Sequence, residues 1–264
     1  MLSMRTIRWL NLITLVFTIV VNTLANALPI NNRTTGEISD SYPVLFTPAG
    51  YVFAIWGLIY LSLLGFGIYQ LLPSQQKNSH IDRIGGWFIA ANLFNGAWIF
   101  AWHYGLIPLS MLVMLGLLIS LLAIYLRLGI GVQEASPADR SLIHFPFSLY
   151  LGWISVATIA NASVLLYTLN WDGFGIAPEV WTGVVIVIGG LLAIAMIHYR
   201  NAITYPLVIV WAFSGILFKA GGSEQIANIA GAVAALILIF LLYSMLRARQ
   251  MKLISSRVNR ENLR

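Results

Sequence analysis

The chain of 264 residues contains no cysteine. Disulfides, thiolate metal sites and cysteine nucleophiles are therefore excluded, and the redox compartment is left open. Charge is almost as scarce, with Asp, Glu, Lys and Arg together at 9%. The histidines, His80, His103, His144 and His198, show neither H-x-x-x-H nor H-E-x-x-H spacing, so no preformed metal site is expected. Glycine-rich phosphate loops and Ser-His-Asp spacing are missing as well, and no charged residue falls deep within an apolar run. These absences argue against the common enzyme classes, a proton-coupled pump and a channel with acidic rings.

What is abundant is apolar: 59% of the residues are hydrophobic and the mean hydropathy is +0.83. A water-soluble globule of this composition would expose apolar surface. Eight runs approach the length of about 20 residues that crosses a hydrocarbon core of about 30 Å: residues 8–28, 50–72, 84–103, 106–127, 142–167, 180–198, 203–219 and 225–246. Runs this long form helices in lipid, where every backbone polar group needs a partner, whereas barrel strands would alternate over about ten residues. The fold expected is all-α, a polytopic membrane helical bundle of about eight transmembrane helices. The first run also has the basic start and Ala25-x-Ala27 ending of a secretory signal; its length, with Asn11 and Asn22 inside it, favours a helix of the bundle.

Basic residues then sort by side. Thirteen of the fifteen Lys and Arg fall with the two ends and the loops near 77, 134 and 200, and only Arg33 and Lys219 fall on the other side. The bias toward basic cytoplasmic loops places both termini in the cytoplasm. The net charge of +6 is concentrated in the tail at 247–264, which is expected to touch anionic lipid headgroups and not nucleic acid. On the opposite side, the loop at 29–49 has Pro43 and Pro48 among Tyr42 and Phe46, with Tyr51 just beyond it; prolines and aromatics predict an ordered cover over the helix ends. No internal repeat is evident.

Aromatic and amide side chains recur at helical spacing. Phe53, Trp56 and Tyr60 share one face of the second run, Asn95, Trp98 and Trp102 one of the third with Asn92 a turn earlier, and Tyr150, Trp153, Ala157 and Asn161 one of the fifth. Interface anchoring of Trp and Tyr and interhelical amide bonds of about 1 kcal/mol account for each residue taken singly. Three such faces in one chain raise a second possibility, a shared aromatic pocket.

At these positions the chain resembles the translocator, or tryptophan-rich sensory, family (TspO/MBR). The family reads approximately P-P-x-W-V-F-x-P-V-W-x-x-x-Y at the start of its second helix, and here the stretch is "TPAGYVFAIWGLIY", followed by Gly65-Phe66-Gly67-Ile68-Tyr69. The family's third-helix L-N-x-x-W is matched by Phe94-Asn95-Gly96-Ala97-Trp98, and the step from Trp to Asn in its fifth helix by Trp153 and Asn161 in "GWISVATIAN". Departures include Tyr51 and Phe46 where tryptophans are usual, Ala49 for the second proline, and a fourth helix without its frequent acidic residue. The resemblance implies a five-helix unit over residues 1–170, three additional helices over 171–246, and the basic tail. It also implies an aromatic-lined intramembrane pocket for a hydrophobic ligand: a tetrapyrrole such as porphyrin or haem, or a sterol in some members. Under it, Tyr51, Phe53, Trp56, Tyr60, Asn95, Trp98, Trp102, Trp153, Ala157 and Asn161 are the expected ligand-binding residues, with Ala157 supplying room. His103 is the one histidine near enough for axial ligation of haem iron, although a helix-end histidine is the simpler reading. Transport of the ligand, a sensory or receptor role, and a structural or assembly role with residues 171–264 as docking surface remain alternatives; the family also implies a homodimer. The glycines and alanines of "TGVVIVIGGLLAIAM" and "ANIAGAVAALI" suit close packing with either the chain itself or a partner.

Overall fold

The computed structural model describes residues 2–28, 30–219 and 222–261, with side chains as far as Met251. Pro29 and the side chains of Lys252, Arg257, Arg260 and Arg264 in the predicted loop and tail thus lie outside the described residues. Helix α1 is Met4–Ala27, begun by Ser3, whose side chain accepts from Thr6 N–H. The covering segment follows and contains a short helix, α2 (Thr35–Asp40). A 3-10 turn, Gly50–Ala54, runs into α3 (Ile55–Tyr69). After α4 (Ser79–Ile84), Gly85 at φ +55° breaks the helix before α5 (Trp87–His103). Then come α6 (Ile107–Arg127) and α7 (Pro137–Asp139), joined through a π-helical turn, Arg140–His144, to α8 (Phe145–Thr168). The chain ends in α9 (Pro178–Arg200), α10 (Thr204–Leu217) and α11 (Glu224–Glu261).

Among the described residues, six of these segments are long and apolar enough to cross a membrane: Met4–Ala27, Gly50–Tyr69, Ile107–Leu128, Pro137–Thr168, Pro178–Arg200 and Glu224–Met251. The eight expected runs are all helical, but α5 and α10, at 17 and 14 residues, are not among these six, and the 15-residue α3 is one of them only together with the Gly50–Ala54 turn before it. Large apolar side chains such as Leu112, Ile119, Leu191, Ile239 and Leu242 are exposed around the bundle, a surface stable only against lipid. The chain is an integral, multi-pass membrane protein with an all-helical bundle fold.

Helices α5, α6 and α8 pack side by side, α1 and α3 close the layer, and α10 connects it to α9 and α11 by lying on α8. Polar side chains of α1 face inward. Thr18 Oγ1 donates to Asn92 O at 2.9 Å, and Asn92 Nδ2 donates to Thr14 Oγ1 at 3.1 Å. Asn22 Nδ2 donates to Asn95 Oδ1 at 2.7 Å, and Asn95 Nδ2 to Tyr150 Oη at 2.7 Å, a chain of contacts across α1, α5 and α8. At the opposite end, buried Arg8 bonds Asp82 at 2.8 Å and the carbonyls of Gln70 and Gln75.

The small residues of α9 and α11 are used within the chain: a Cβ at Gly190 would stand 2.3 Å from Val233 Cγ1. The two groups of helices also meet at Gly131, where φ is +81° and a Cβ would lie 1.5 Å from Arg200 O. No residue but glycine fits there without moving backbone.

Candidate functional site

Spacing of three and four residues along α3, α5 and α8 turns the ring faces of these helices toward a common hollow. Phe53, Trp56, Trp98, Trp102, Trp153, Ala157 and Asn161 all line it. Trp56 meets Trp153 edge-on at 6.1 Å and Trp98 stacks on Trp102 at 5.5 Å; both are arrangements that aromatic quadrupoles favour. Phe53 reaches Trp153 at 5.8 Å, edge to face. The remaining lining includes Thr35, Ser39, Thr47 and Pro48 of the covering segment and Val156, Ala160 and Val164 of α8. Helical spacing identifies the aromatic walls; it carries no information about the roof, which comes from a non-local segment.

The other expected residues lie elsewhere. Tyr60 stacks on Trp56 at 5.3 Å but lines a neighbouring cleft of about 470 Å³, bordered also by Asn22, Thr23 and Asn26. Thr35, Phe53 and Trp56 belong to both spaces and so form the partition between them. Asn95 lies outside the lining of the hollow, its amide engaged by Asn22 and Tyr150. Tyr51 is 47% exposed and packs on Trp211 of α10 at 5.4 Å. It turns away because Trp211 Nε1 donates to Val52 O at 3.0 Å and holds this turn against α10.

Asn161 serves the hollow through its neighbours. Its Oδ1 accepts from Trp98 Nε1 at 2.8 Å, and its Nδ2 donates to Ser110 Oγ at 3.0 Å, which fixes the Trp98 ring plane. His103 is occupied at both ring nitrogens, by Ile30 O at 3.0 Å and Thr35 Oγ1 at 3.1 Å. Axial ligation of iron through Nε2 would displace Thr35 Oγ1; as placed, the side chain fastens the cover to α5. Trp102 Nε1 adds a bond to Thr35 O at 3.3 Å.

Within the cover, Thr34 and Glu37 form a reciprocal capping box at the start of α2. Donation from Thr34 N–H and Oγ1 holds the Glu37 carboxyl below its ordinary range. The far half of the cover docks on α10. Phe46 is buried against Phe213, Ala49 N–H donates to Gly215 O at 2.9 Å, and Lys219 pairs with Asp40 at 3.2 Å. A Cβ at Gly215 would come within 2.2 Å of Val52 Cγ2, so the close approach requires glycine.

Two polar groups beside the partition lack partners. Trp153 Nε1, on a residue lining the hollow, and Tyr60 Oη, on one lining the cleft, are buried without a hydrogen bond. Buried donors are ordinarily satisfied, and leaving one unpaired costs about 1–3 kcal/mol. The volume of the hollow itself is about 40 Å³, room for a few waters but roughly tenfold below the several hundred Å³ of a typical small-molecule site.

The family model described as TSPO-like protein matches residues 8–243. No curated protein and no solved structure matches the chain.

Proposed function

The chain belongs to the TSPO-like protein family, and from that premise we propose that it binds a flat hydrophobic ligand, of the tetrapyrrole or sterol kind, in the space shared by the hollow and the cleft. The observation that carries this reading is the pair of unpartnered donors, Trp153 N–H and Tyr60 O–H, on residues either side of the Phe53–Trp56 partition. A ligand with a carbonyl or carboxylate edge would satisfy them while its apolar plane packs on the indoles. Displacement of the partition toward the cleft joins the two spaces and supplies the volume that the hollow lacks. On this reading Phe53, Trp56, Tyr60, Trp98, Trp102, Trp153 and Ala157 touch the ligand, Asn161 and Asn95 position their neighbours, and Tyr51 has no part.

The same reading takes residues 1–170 as the binding unit, all eight long helices as membrane-crossing, and both termini as cytoplasmic, in line with the thirteen-to-two distribution of basic residues. Titration of the detergent-solubilised chain with protoporphyrin IX, followed by tryptophan fluorescence, tests it. Saturable quenching that Trp153→Leu weakens by at least tenfold is expected. Quenching that never saturates and ignores the substitution would reduce the interaction to partitioning and sink the proposal.

A further inference from the structure

A second concavity, of about 390 Å³, opens where the end of α8, the start of α9 and the covering segment meet. Its wall is aromatic: Phe46, Tyr167, Trp171 and Trp181 line it. The loop carrying this wall is fixed. Trp181 Nε1 donates to Gly173 O at 2.9 Å, Trp171 packs on Trp181 at 5.3 Å, and Asp172 Oδ1 accepts from Phe174 N–H at 3.0 Å. The aromatic faces are therefore in place before any ligand arrives, which lowers the ordering cost of binding.

Charge decides what such a site favours. Asp172 is part of the lining, and among the described residues no Lys, Arg or His is. Glu179 stands in the first turn of α9, where it offsets the positive end of that helix, so Asp172 is the charge on the lining of the pocket itself. Lys219, one of two basic residues on this side of the sequence, is paired with Asp40. Three indole and phenol faces beside a carboxylate attract a positive charge through the ring quadrupoles and the Coulomb field together, while the apolar remainder of the pocket accepts a hydrophobic body.

We propose that this pocket binds a lipophilic cation, a bulky apolar group bearing a permanent positive charge. The site is separate from the hollow and does not depend on the function proposed for it. Tetraphenylphosphonium and tetraphenylborate, nearly identical in shape and opposite in charge, are the probes. Equilibrium dialysis against the full chain in detergent, in low-salt sodium buffer with protein-free micelles as blank, should show saturable 1:1 binding of the phosphonium. The borate should bind at least tenfold more weakly.

Asp172→Asn keeps an oxygen to accept from Phe174 N–H and removes only the charge. It should weaken phosphonium binding about three- to fivefold, a loss that disappears in high salt. Trp171→Leu should weaken it on the order of tenfold, and Trp153→Leu should leave it unchanged. Equal binding of the two probes would mean an apolar pocket without charge preference. Loss of phosphonium binding in Trp153→Leu would place the cation in the hollow. Either result overturns the assignment, and the comparison of probes on the unmodified protein does so without any variant.

Discussion

Replacing Ala157 by valine separates the stability of the bundle from its capacity to hold a ligand. Ala157 lines the hollow from α8, so the two added methyl groups occupy the space directly. At about 24 cal/mol per Å³ of void, filling a volume of about 40 Å³ is worth at most about 1 kcal/mol. The lower helix propensity of a β-branched residue opposes this by up to about 0.7 kcal/mol. The net change in stability is therefore under about 1 kcal/mol, or a shift in Tm of no more than about 2–4 °C. A ligand seated in the hollow meets the methyl groups as overpacking, at a cost of about 1–3 kcal/mol, which corresponds to roughly 5- to 150-fold weaker binding. Thermal unfolding and protoporphyrin IX titration of the same preparation measure the two quantities. Ala162→Val, on the same helix but off the lining, is the control and should bind as the unmodified chain does. Unchanged affinity in a folded Ala157→Val protein would refute the assignment of the ligand to this hollow.

Three further perturbations follow from individual contacts. Gly131→Ala forces a side chain into positive φ and against Arg200 O; the backbone conformation alone costs about 1–2 kcal/mol, so a clear drop in Tm is expected, with faster proteolysis around residues 128–135 and 200–204. Asn95→Leu removes one of the two acceptors of Asn22 Nδ2, leaving Thr18 O, and takes the donor from Tyr150. A loss of about 1–2 kcal/mol should appear in unfolding by denaturant, with ligand affinity changing far less than in Trp153→Leu. For Glu37 the folded pKa is depressed by Thr34, so its contribution is present above the ordinary carboxylate range and is lost as pH falls through the folded value. Hydrogen-exchange protection of residues 34–40, taken relative to the intrinsic rate at each pH, should fall below about pH 4 in the natural chain and show much less pH dependence in Glu37→Gln.

The legibility of this molecule in its sequence follows the range of the interactions involved. Helices dominated by a long apolar run, such as α1, α6 and α9, lie close to where hydropathy puts them. Boundaries shift where glycine or local capping intervenes. Gly85 and Gly86 delay α5 to Trp87, and the Gly50–Ala54 turn delays α3 to Ile55. Helix α2 carries a visible signal, Thr34 with Glu37 three residues on, that the reading of the cover as a loop does not use. The walls of the hollow come from spacing within single helices, so Trp56, Trp98, Trp153 and Ala157 could be grouped in advance. Its roof of Thr35, Ser39, Thr47 and Pro48 depends on how a distant segment docks, for which periodicity has no term. Asn95 shares the helical stripe of Trp98 but is drawn to Asn22, a partner on α1 that no spacing within α5 reveals. Tyr51 illustrates the same limit: its neighbour Trp211 lies 160 residues further along the chain.

The attachment of α10 to the cover gives the last three helices a part in the geometry of the hollow. A bundle of α1 to α8 alone would hold the first half of the cover through His103 and Trp102 on α5, and the second only through Tyr42, whose ring packs on Trp102 and on Tyr167 of α8. That second half, from Asp40 to Val52, is otherwise held by Phe213, Gly215, Trp211 and Lys219 on or next to α10. Those contacts act on the segment that supplies Thr47 and Pro48 to the roof of the hollow, and α10 in turn rests on α8, which supplies Trp153 and Ala157. Roof and wall are thereby tied to one helix, and a movement of α10 changes both. The buried interface between them includes a Gly152 whose Cβ would stand 3.0 Å from Val208 Cβ, so α8 and α10 lie too close for independent sliding. The three helices after residue 170 therefore act on the geometry of the hollow through its cover, although none of their described side chains is part of its lining.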